Sequence, residues 1–320
     1  MKISVIVPHV RDDYPHVESS DIHIFHYLLQ SLRAQTFDPG EFELIVPDSQ
    51  WKRRQGYFDN DPQPFIVKHV PKRETLWTRL RFCDISNGYN TGIIHADGDL
   101  LLLLSSGCEF EPEALERCWR WRQNGCYAAF MYDWVSGDRV IRADTRREDL
   151  YRSGGVKYFE PSAAKPYTQF YGHQCVGLKA MLSINGFDEL YDGSKGWNDC
   201  ECGVRLSKLD YRFVHDENLE LREHAHTDLP WGTLLDPDCC DGKYDKFFAW
   251  AHEAKSYRTL DPVTTWRAND YPWRQVELVI RRCNEQGEPV PEWARVYADD
   301  RLCFNLKDLW QERRANDGLH

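Results

Sequence analysis

The sequence lacks long apolar runs and paired-cysteine motifs, and these absences exclude several classes of protein. Its five consecutive leucines, residues 100–104, are far shorter than the ~20 apolar residues that cross a bilayer. A strand-like run, residues 3–7, opens the chain without the apolar core and small-residue cleavage site of a secretion signal. We therefore expect a cytoplasmic protein with no membrane span.

The 11 cysteines are an odd number, and none belongs to a C-x-x-C pair. The close spacings Cys200-x-Cys202 and Cys239-Cys240 match neither zinc fingers nor zinc ribbons. Reduced and mostly buried thiols are therefore the expectation, as in most cytosolic proteins.

Basic residues are the scarcer charge, 40 against 51 acidic ones, and the formal net charge is −11. This balance disfavours a broad electrostatic surface for nucleic acid, although residues 52–54 form a local basic cluster. Apolar types make up 42% of the 320 residues, which is enough for a core in one large domain or two smaller ones. The 12 Trp and 16 Tyr suit either a large core or platforms for sugars and bases.

Strand and helix patterns alternate through the first 125 residues. Apolar runs at 3–7, 42–46, 65–70 and 99–104 predict four buried strands, and helical patterns lie at 22–32, 84–95 and 112–124. This alternation predicts an α/β fold with an open, mainly parallel sheet flanked by helices. Ligands bind at the carboxyl ends of strands in such sheets, so residues 8–11, Asp48 and residues 105–109 should line one cleft.

The pattern is less regular beyond residue 125. It predicts a strand at 127–134, a flexible charged connection at 139–157, helices at 178–185 and 199–209, and a short strand at 219–222. Residues from 230 onward are rich in Trp, Tyr, Asp and Pro, and helices are predicted at 244–257, 273–283 and 305–314. We predict that residues 229–320 form a helical, aromatic extension packed on the main domain.

Three segments, in this order, resemble those of family 2 glycosyltransferases of the GT-A fold, which is Rossmann-like. The first contains Ser4-Val-Ile-Val-Pro8 and Phe42-Glu-Leu-Ile-Val-Pro-Asp48, and the second Asn90-Thr-Gly-Ile93 and Ala96-Asp-Gly-Asp99. The third contains Asn185-Gly-Phe-Asp-Glu189 and Gly196-Trp-Asn-Asp199. The resemblance implies a GT-A domain at 1–228, with a nucleotide-sugar half at 1–125 and an acceptor half at 126–228. It also implies transfer of a sugar from a nucleotide-diphosphate donor, usually UDP-linked, to a hydroxyl of a glycan or other acceptor.

The resemblance further assigns residues to the donor. It implies that Asp48 accepts a hydrogen bond from the base, usually uracil, and that Pro8 and His9 wall the base. The alternative role of Asp48 is to open a turn. Further residues expected on the nucleotide side are Arg11, Arg81, Asp84, Asn90, Ser105 and Ser106, with Arg79 as another candidate for the phosphates.

The family's metal-binding motif is altered in this chain. The resemblance implies Asp-x-Asp at the end of the central strand, holding Mg²⁺ or Mn²⁺ against the diphosphate, but the aligned residues are Ser105-Ser-Gly107, followed by Cys108 and Glu109. Three explanations stay open for an active enzyme: Glu109 as a shifted ligand, His224 and His226 as ligands, or a diphosphate held by basic and hydroxyl groups without metal. Loss of catalysis is a fourth. The two histidines lie at i and i+2, which share one face of a strand.

Asp199 is the predicted general base. The family carries a pair of carboxylates at the start of a helix, and Asn198-Asp199 keeps the second of them. An inverting transfer needs a carboxylate that takes the proton of the acceptor hydroxyl, whereas capping the helix is the alternative role. Trp197 is expected to face a sugar ring, and Asn198 and Glu201 to contact the acceptor.

Two other functions are compatible with the sequence. The altered motif is compatible with a sugar-nucleotide-binding or glycan-binding protein that has lost catalysis. Local basic clusters and the many aromatic residues are compatible with a transferase that acts on modified nucleic-acid bases. UDP binding without turnover would favour the first, and salt-dependent binding to DNA would favour the second.

Overall fold

The computed structural model describes residues 1–9, 25–74, 85–136, 139–143, 156–159, 172–189, 198–206, 209, 212–224, 280, 283–290 and 304–319. The strands are β1 (Ile3–Ile6), β2 (Phe42–Asp48), β3 (Ile66–Pro71), β4 (Leu100–Leu103), β5 (Cys108–Phe110), β6 (Cys126–Ser136), β7 (Arg139–Ala143), β8 (Val156–Phe159), β9 (Gln174–Gly177) and β10 (Arg212–His224). The helices are α1 (Phe25–Arg33), α2 (Trp51–Arg54), α3 (Ile85–His95), α4 (Ala114–Gln123), α5 (Leu178–Ser183), α6 (Asn198–Leu206) and α7 (Leu306–Asn316).

These strands form one sheet in the order β3-β2-β1-β4-β9-β6-β10-β5, with β7 beside β6 and β8 beside β10. The pairs among β1, β2, β3 and β4 are parallel, and so is the pair of β6 with β10. Strands β9 and β5 run against their neighbours. The carboxyl ends of β1, β2, β4 and β10 therefore share one edge, and the predicted mainly parallel α/β sheet is confirmed.

Burial explains why strands β1, β2 and β4 are so apolar. Every residue of β1, β2 and β4 is buried, whereas the edge strand β3 is half-exposed. Helix α1 adds four buried apolar side chains to this core, Phe25, Leu28, Leu29 and Leu32. Each buried side chain of this size contributes about 1.5–3 kcal/mol to folding.

Two predictions about residues 139–224 were wrong. The predicted connection at 139–157 contains β7 and the first residues of β8, and the short strand predicted at 219–222 is the end of β10, which has 13 residues. Strand β10 continues through the polar residues 215–218, with a register shift against β6 between His215 and Glu220. Strands β5 and β9 were not predicted at all. The predicted helix at 244–257 and nearly all of 273–283 lie outside the described residues.

In the part of the chain that the structure describes, no helix has both the length and the apolar character needed to span a membrane.

Helix α7, which matches the helix predicted at 305–314, packs against the loop between α3 and β4. The indole Nε1 of Trp310 donates to the carbonyl oxygen of Ala96 at 2.8 Å. Arg313 donates to the same oxygen at 2.9 Å and to a carboxylate oxygen of Asp97 at 2.9 Å. Arg314 donates to Asp97 as well, at 3.0 Å. The helix thus fixes the chain just before the central strand β4.

We expect Arg313→Ala to lower the free energy of unfolding by about 2 kcal/mol, because it removes largely buried hydrogen bonds to backbone carbonyls and a carboxylate. The side chain of Arg313 is 9% exposed. Urea denaturation measures the change. The control is Arg120→Ala, whose partner Glu116 lies on the exposed surface, and it should change stability by less than about 0.5 kcal/mol. Equal effects of the two variants would contradict the packing role of Arg313.

Candidate active site

Asp48 ends β2 within a buried ion-pair cluster. Its Oδ1 accepts hydrogen bonds from Gln50 N at 2.7 Å and from Arg54 Nη1 at 3.0 Å, and its Oδ2 lies 2.9 Å from His69 Nε2. The Asp48 side chain is 1% exposed. Burial lowers the pKa of the Arg54 guanidinium. A carboxylate has about four lone-pair positions, so these contacts leave room for roughly one further donor.

His9 lies beside Asp48, just beyond the end of β1. A parallel bridge joins the two residues, and His9 N donates to Pro47 O at 2.8 Å. The His9 ring is buried and packs edge-to-face on Phe25, with 5.1 Å between ring centroids. Pro8 precedes it, so the structure brings these three predicted nucleotide-side residues together. A cavity of about 430 Å³ lies nearby, lined among others by Trp51, Phe58, Phe65 and His69.

Four side chains from β5, β10 and the segments next to β4 and β9 meet at the carboxyl end of β4, where the altered metal motif was predicted. Ser105 Oγ donates to Glu223 Oε1 at 2.8 Å and lies 3.4 Å from Cys108 Sγ. Glu223 Oε2 is 3.2 Å from His173 Nε2, and Cys108 Sγ is 3.8 Å from His173 Nδ1. We name Ser105, Cys108, His173 and Glu223 the His173 cluster. Ser106, another predicted donor residue, is buried next to it.

The buried position of His173 affects its charge. Burial acts to lower the pKa of His173, but the adjacent Cys108 and Glu223 outweigh burial and raise the pKa to about 10. The raised pKa favours the protonated imidazole and its ion pair with Glu223.

Glu109 and His224, two of the predicted metal ligands, bind each other directly. His224 Nε2 lies 2.8 Å from Glu109 Oε2, and the Tyr27 ring stacks on the His224 ring with 3.6 Å between centroids. The third predicted ligand, His226, lies outside the described residues. Among the residues with described placement, no group of three His, Cys, Asp or Glu could hold a metal ion. A role of Glu109 or His224 as a metal ligand therefore stays a prediction.

Asp199 is the second residue of α6, and its carboxylate faces the turn before β9. Gly172 N donates to Asp199 Oδ2 at 3.0 Å. The φ angle of Gly172 is +73°, a conformation that glycine adopts without strain. Because His173 follows Gly172 directly, the predicted base lies next to the His173 cluster.

Helix α6 is held in place by a buried arginine. Arg205 donates to the carbonyl oxygens of Ile184 at 2.9 Å and Gly186 at 2.7 Å, just beyond α5. A Cβ on Gly186 would lie 2.3 Å from Asn90 Oδ1, so this close approach requires glycine. The Asn90 side chain also forms two hydrogen bonds with the backbone of Phe187. Its Nδ2 donates to Phe187 O and its Oδ1 accepts from Phe187 N, both at 2.8 Å. The motif at 185–189 and the helix that carries Asp199 are therefore fixed against α3.

The structure brings some predicted site residues together and leaves others outside its description. His9 and Asp48 lie at the shared edge of the sheet, as do Ser105, Ser106, Glu109 and His224, while Asn198 begins α6 beside Asp199. Asn90 is buried on α3 in internal hydrogen bonds, and its contact with a nucleotide stays a prediction. Residues outside the described ranges are Arg11, Arg79, Arg81, Asp84, Trp197 and His226, and the side chain of Glu201 is likewise not described.

Sequence reasoning assigned no role to Gly172, His173 and Glu223. The one available signal was the position of Glu223 directly before His224, a predicted ligand. Nothing near Gly172 or His173 in the sequence indicates a site, because their partners are distant along the chain.

No protein-family model matches the chain, and no curated protein matches it. Among solved structures it is similar to TarS of S. aureus. The structure of TarS 1–349 in complex with UDP has a TM-score of 0.53 and 14% sequence identity, and the match covers 99% of this chain and 92% of that one. The chain has a Rossmann-like glycosyltransferase fold. A further structure of TarS 1–349 gives a TM-score of 0.51 at 14% identity, with the same coverage. The predicted fold class is thereby confirmed.

Proposed function

We propose that this chain transfers a sugar from a nucleotide-diphosphate donor, UDP-linked, to the hydroxyl of a glycan or other acceptor. One observation carries the proposal: on a glycosyltransferase fold, the carboxylate of Asp199 is held by the Gly172 amide beside the carboxyl ends of β4 and β10. Structural similarity to TarS in complex with UDP supports a uridine donor.

The proposed reaction is a direct displacement that inverts the anomeric centre. The acceptor oxygen attacks the anomeric carbon, the bond from that carbon to the diphosphate oxygen breaks, and UDP leaves with the bonding electrons. Asp199 takes the proton of the acceptor hydroxyl. A positioned general base of this kind contributes about 10²–10⁴-fold to the rate. The Gly172 amide supports this role because a hydrogen bond from backbone N–H favours the ionised carboxylate.

The donor is proposed to lie along the shared edge of the sheet. Its base would lie near Pro8, His9 and Asp48, where the Asp48 carboxylate retains capacity for one more hydrogen bond. Its diphosphate would lie near Ser105 and Ser106. Since the described residues supply no metal site there, we favour binding of the diphosphate by hydroxyl and basic groups without a metal.

We expect turnover to persist in EDTA. The experiment measures UDP release from UDP-glucose, UDP-galactose and UDP-N-acetylglucosamine, with a panel of methyl glycosides as acceptors, in EDTA and in Mn²⁺. Rates within about threefold of each other would support the metal-free proposal. Activity that vanishes in EDTA and returns with Mn²⁺ would contradict it and favour Glu109, His224 and His226 as ligands.

The altered metal motif also favours a second candidate function, a sugar-nucleotide-binding protein without catalysis. Calorimetry distinguishes the two functions. UDP that binds tightly, while no donor is hydrolysed or transferred, would favour the binding protein over the enzyme.

A further inference from the structure

The His173 cluster joins the two halves of the candidate site. Ser105 follows the central strand β4 on the donor side, whereas Glu223 belongs to β10 and His173 directly precedes β9 on the acceptor side. Residues 172–173 form one short turn. The backbone N of Gly172 donates to Asp199, and the side chain of His173 binds Glu223 in the cluster. One turn thus connects the predicted base to the end of the donor-side strand.

We propose that His173 is a positioning residue for Asp199, an inference that rests on the proposed function. The imidazole, held by Glu223, fixes the turn at 172–173, and the Gly172 amide in that turn aims the Asp199 carboxylate at the acceptor oxygen. His173 itself does not touch the substrate in this role.

Burial makes the contact rigid. The side chains of His173 and Glu223 are 7% and 9% exposed, so water competes little for their hydrogen bond. The raised pKa of His173 favours the ion pair with Glu223. Cys108 packs on the imidazole at 3.8 Å and Ser105 binds the second oxygen of Glu223, so both members of the pair are restrained.

The position of the base has a direct effect on rate. A displacement of about 1 Å in a reacting group can lower a rate by roughly 100-fold. A turn that shifts when its imidazole is removed would carry the Gly172 amide, and therefore the Asp199 carboxylate, with it. The Ser105–Glu223 bond applies the same restraint to the end of β4, so the distance between base and donor is set by one cluster.

A double-mutant cycle tests whether His173 acts through Asp199. We expect His173→Ala to lower kcat for transfer by about 10–100-fold and to leave the KM for the donor within about twofold. In an Asp199→Asn background, the same change should lower the residual rate by less than about twofold, since the group it positions is already gone. Additive effects of the two substitutions would overturn the proposal.

Two further variants test whether a general loss of stability could explain the effect of His173→Ala. Glu223→Gln keeps the shape of the side chain and removes the ion pair, and it should show the same lack of additivity with Asp199→Asn. The matched control is His215→Ala, which removes a buried histidine from the other half of β10. Its effect on the rate should combine additively with Asp199→Asn. Lack of additivity for His215→Ala too would overturn a specific role for His173.

Hydrogen–deuterium exchange gives a readout that does not depend on activity. We expect the peptide spanning Gly172 to exchange faster in His173→Ala than in the wild type, and to be unaffected by His215→Ala. Unchanged exchange in His173→Ala would overturn the proposed fixation of the turn. If the wild type turned over no donor, the proposed function would fail on that result alone, while exchange would still test the role of His173 in the turn.

Discussion

Asp199→Asn is expected to lower kcat for sugar transfer by about 10²–10⁴-fold. The amide has nearly the shape of the carboxylate and its oxygen can still accept the hydrogen bond from Gly172 N, but it cannot take the proton of the acceptor hydroxyl. The loss therefore falls on the chemical step. UDP affinity should stay within about twofold, because Asp199 belongs to the acceptor side of the proposed site.

Initial rates at saturating donor and calorimetry with UDP measure these two quantities separately. Asp308→Asn is the control, since it makes the same chemical change at an exposed position on α7. Full turnover by Asp199→Asn would remove the residue from the mechanism. A tenfold loss of UDP affinity would instead move Asp199 to the donor side.

Asp48→Ala is expected to lower the free energy of unfolding by about 3–5 kcal/mol, because it removes one charge of a buried ion pair and leaves the other charge buried without it. The Arg54 side chain, 8% exposed, and His69 would both lose their carboxylate. The same variant should bind UDP more weakly, since the proposed function places the base against Asp48. Urea denaturation and calorimetry at a temperature where the variant is folded measure the two effects.

A second substitution separates structure from binding. Arg54→Met in the Asp48→Ala background removes the buried guanidinium that has lost this carboxylate, so part of the lost stability should return. UDP affinity should stay low, because the acceptor for the base is still missing. Recovery of UDP affinity along with stability would show that Asp48 acts only in local structure, the alternative that its turn-forming tendency suggests.

Strands β1 to β4 could be predicted from the sequence because each is marked by a local run of apolar residues. Runs such as residues 100–104 carry no polar side chain, which is typical of parallel strands covered on both faces, and β4 is buried throughout. Strand β10 could not be predicted in full, because His215 and Asp216 are polar yet buried. The pairing of β10 with β6 also changes register just after His215. Whether such a segment forms a strand depends on the strands that pair with it, and its own sequence does not identify them.

The candidate site likewise contains residues that local motifs indicate and residues that only the folded structure brings together. The positions of Asp48 at the end of β2 and of Asp199 in the first turn of α6 could be predicted from short motifs that resemble a known family, while their roles stay predictions. The contacts of His173 could not, since Glu223 lies 50 positions away along the chain and Ser105 lies 118 positions from Glu223. Only the assembled sheet brings these groups within hydrogen-bonding distance.

The distance along the chain between α7 and its binding face has a consequence for biosynthesis. Trp310 and Ala96 are 214 positions apart, and Arg313 reaches back 217 positions to the same carbonyl. At translation rates of roughly 5–20 residues per second, the ribosome needs about 10–40 s to make the intervening chain. For that interval the nascent polypeptide keeps this face uncovered, so the packing of this face waits for a helix that is synthesised much later.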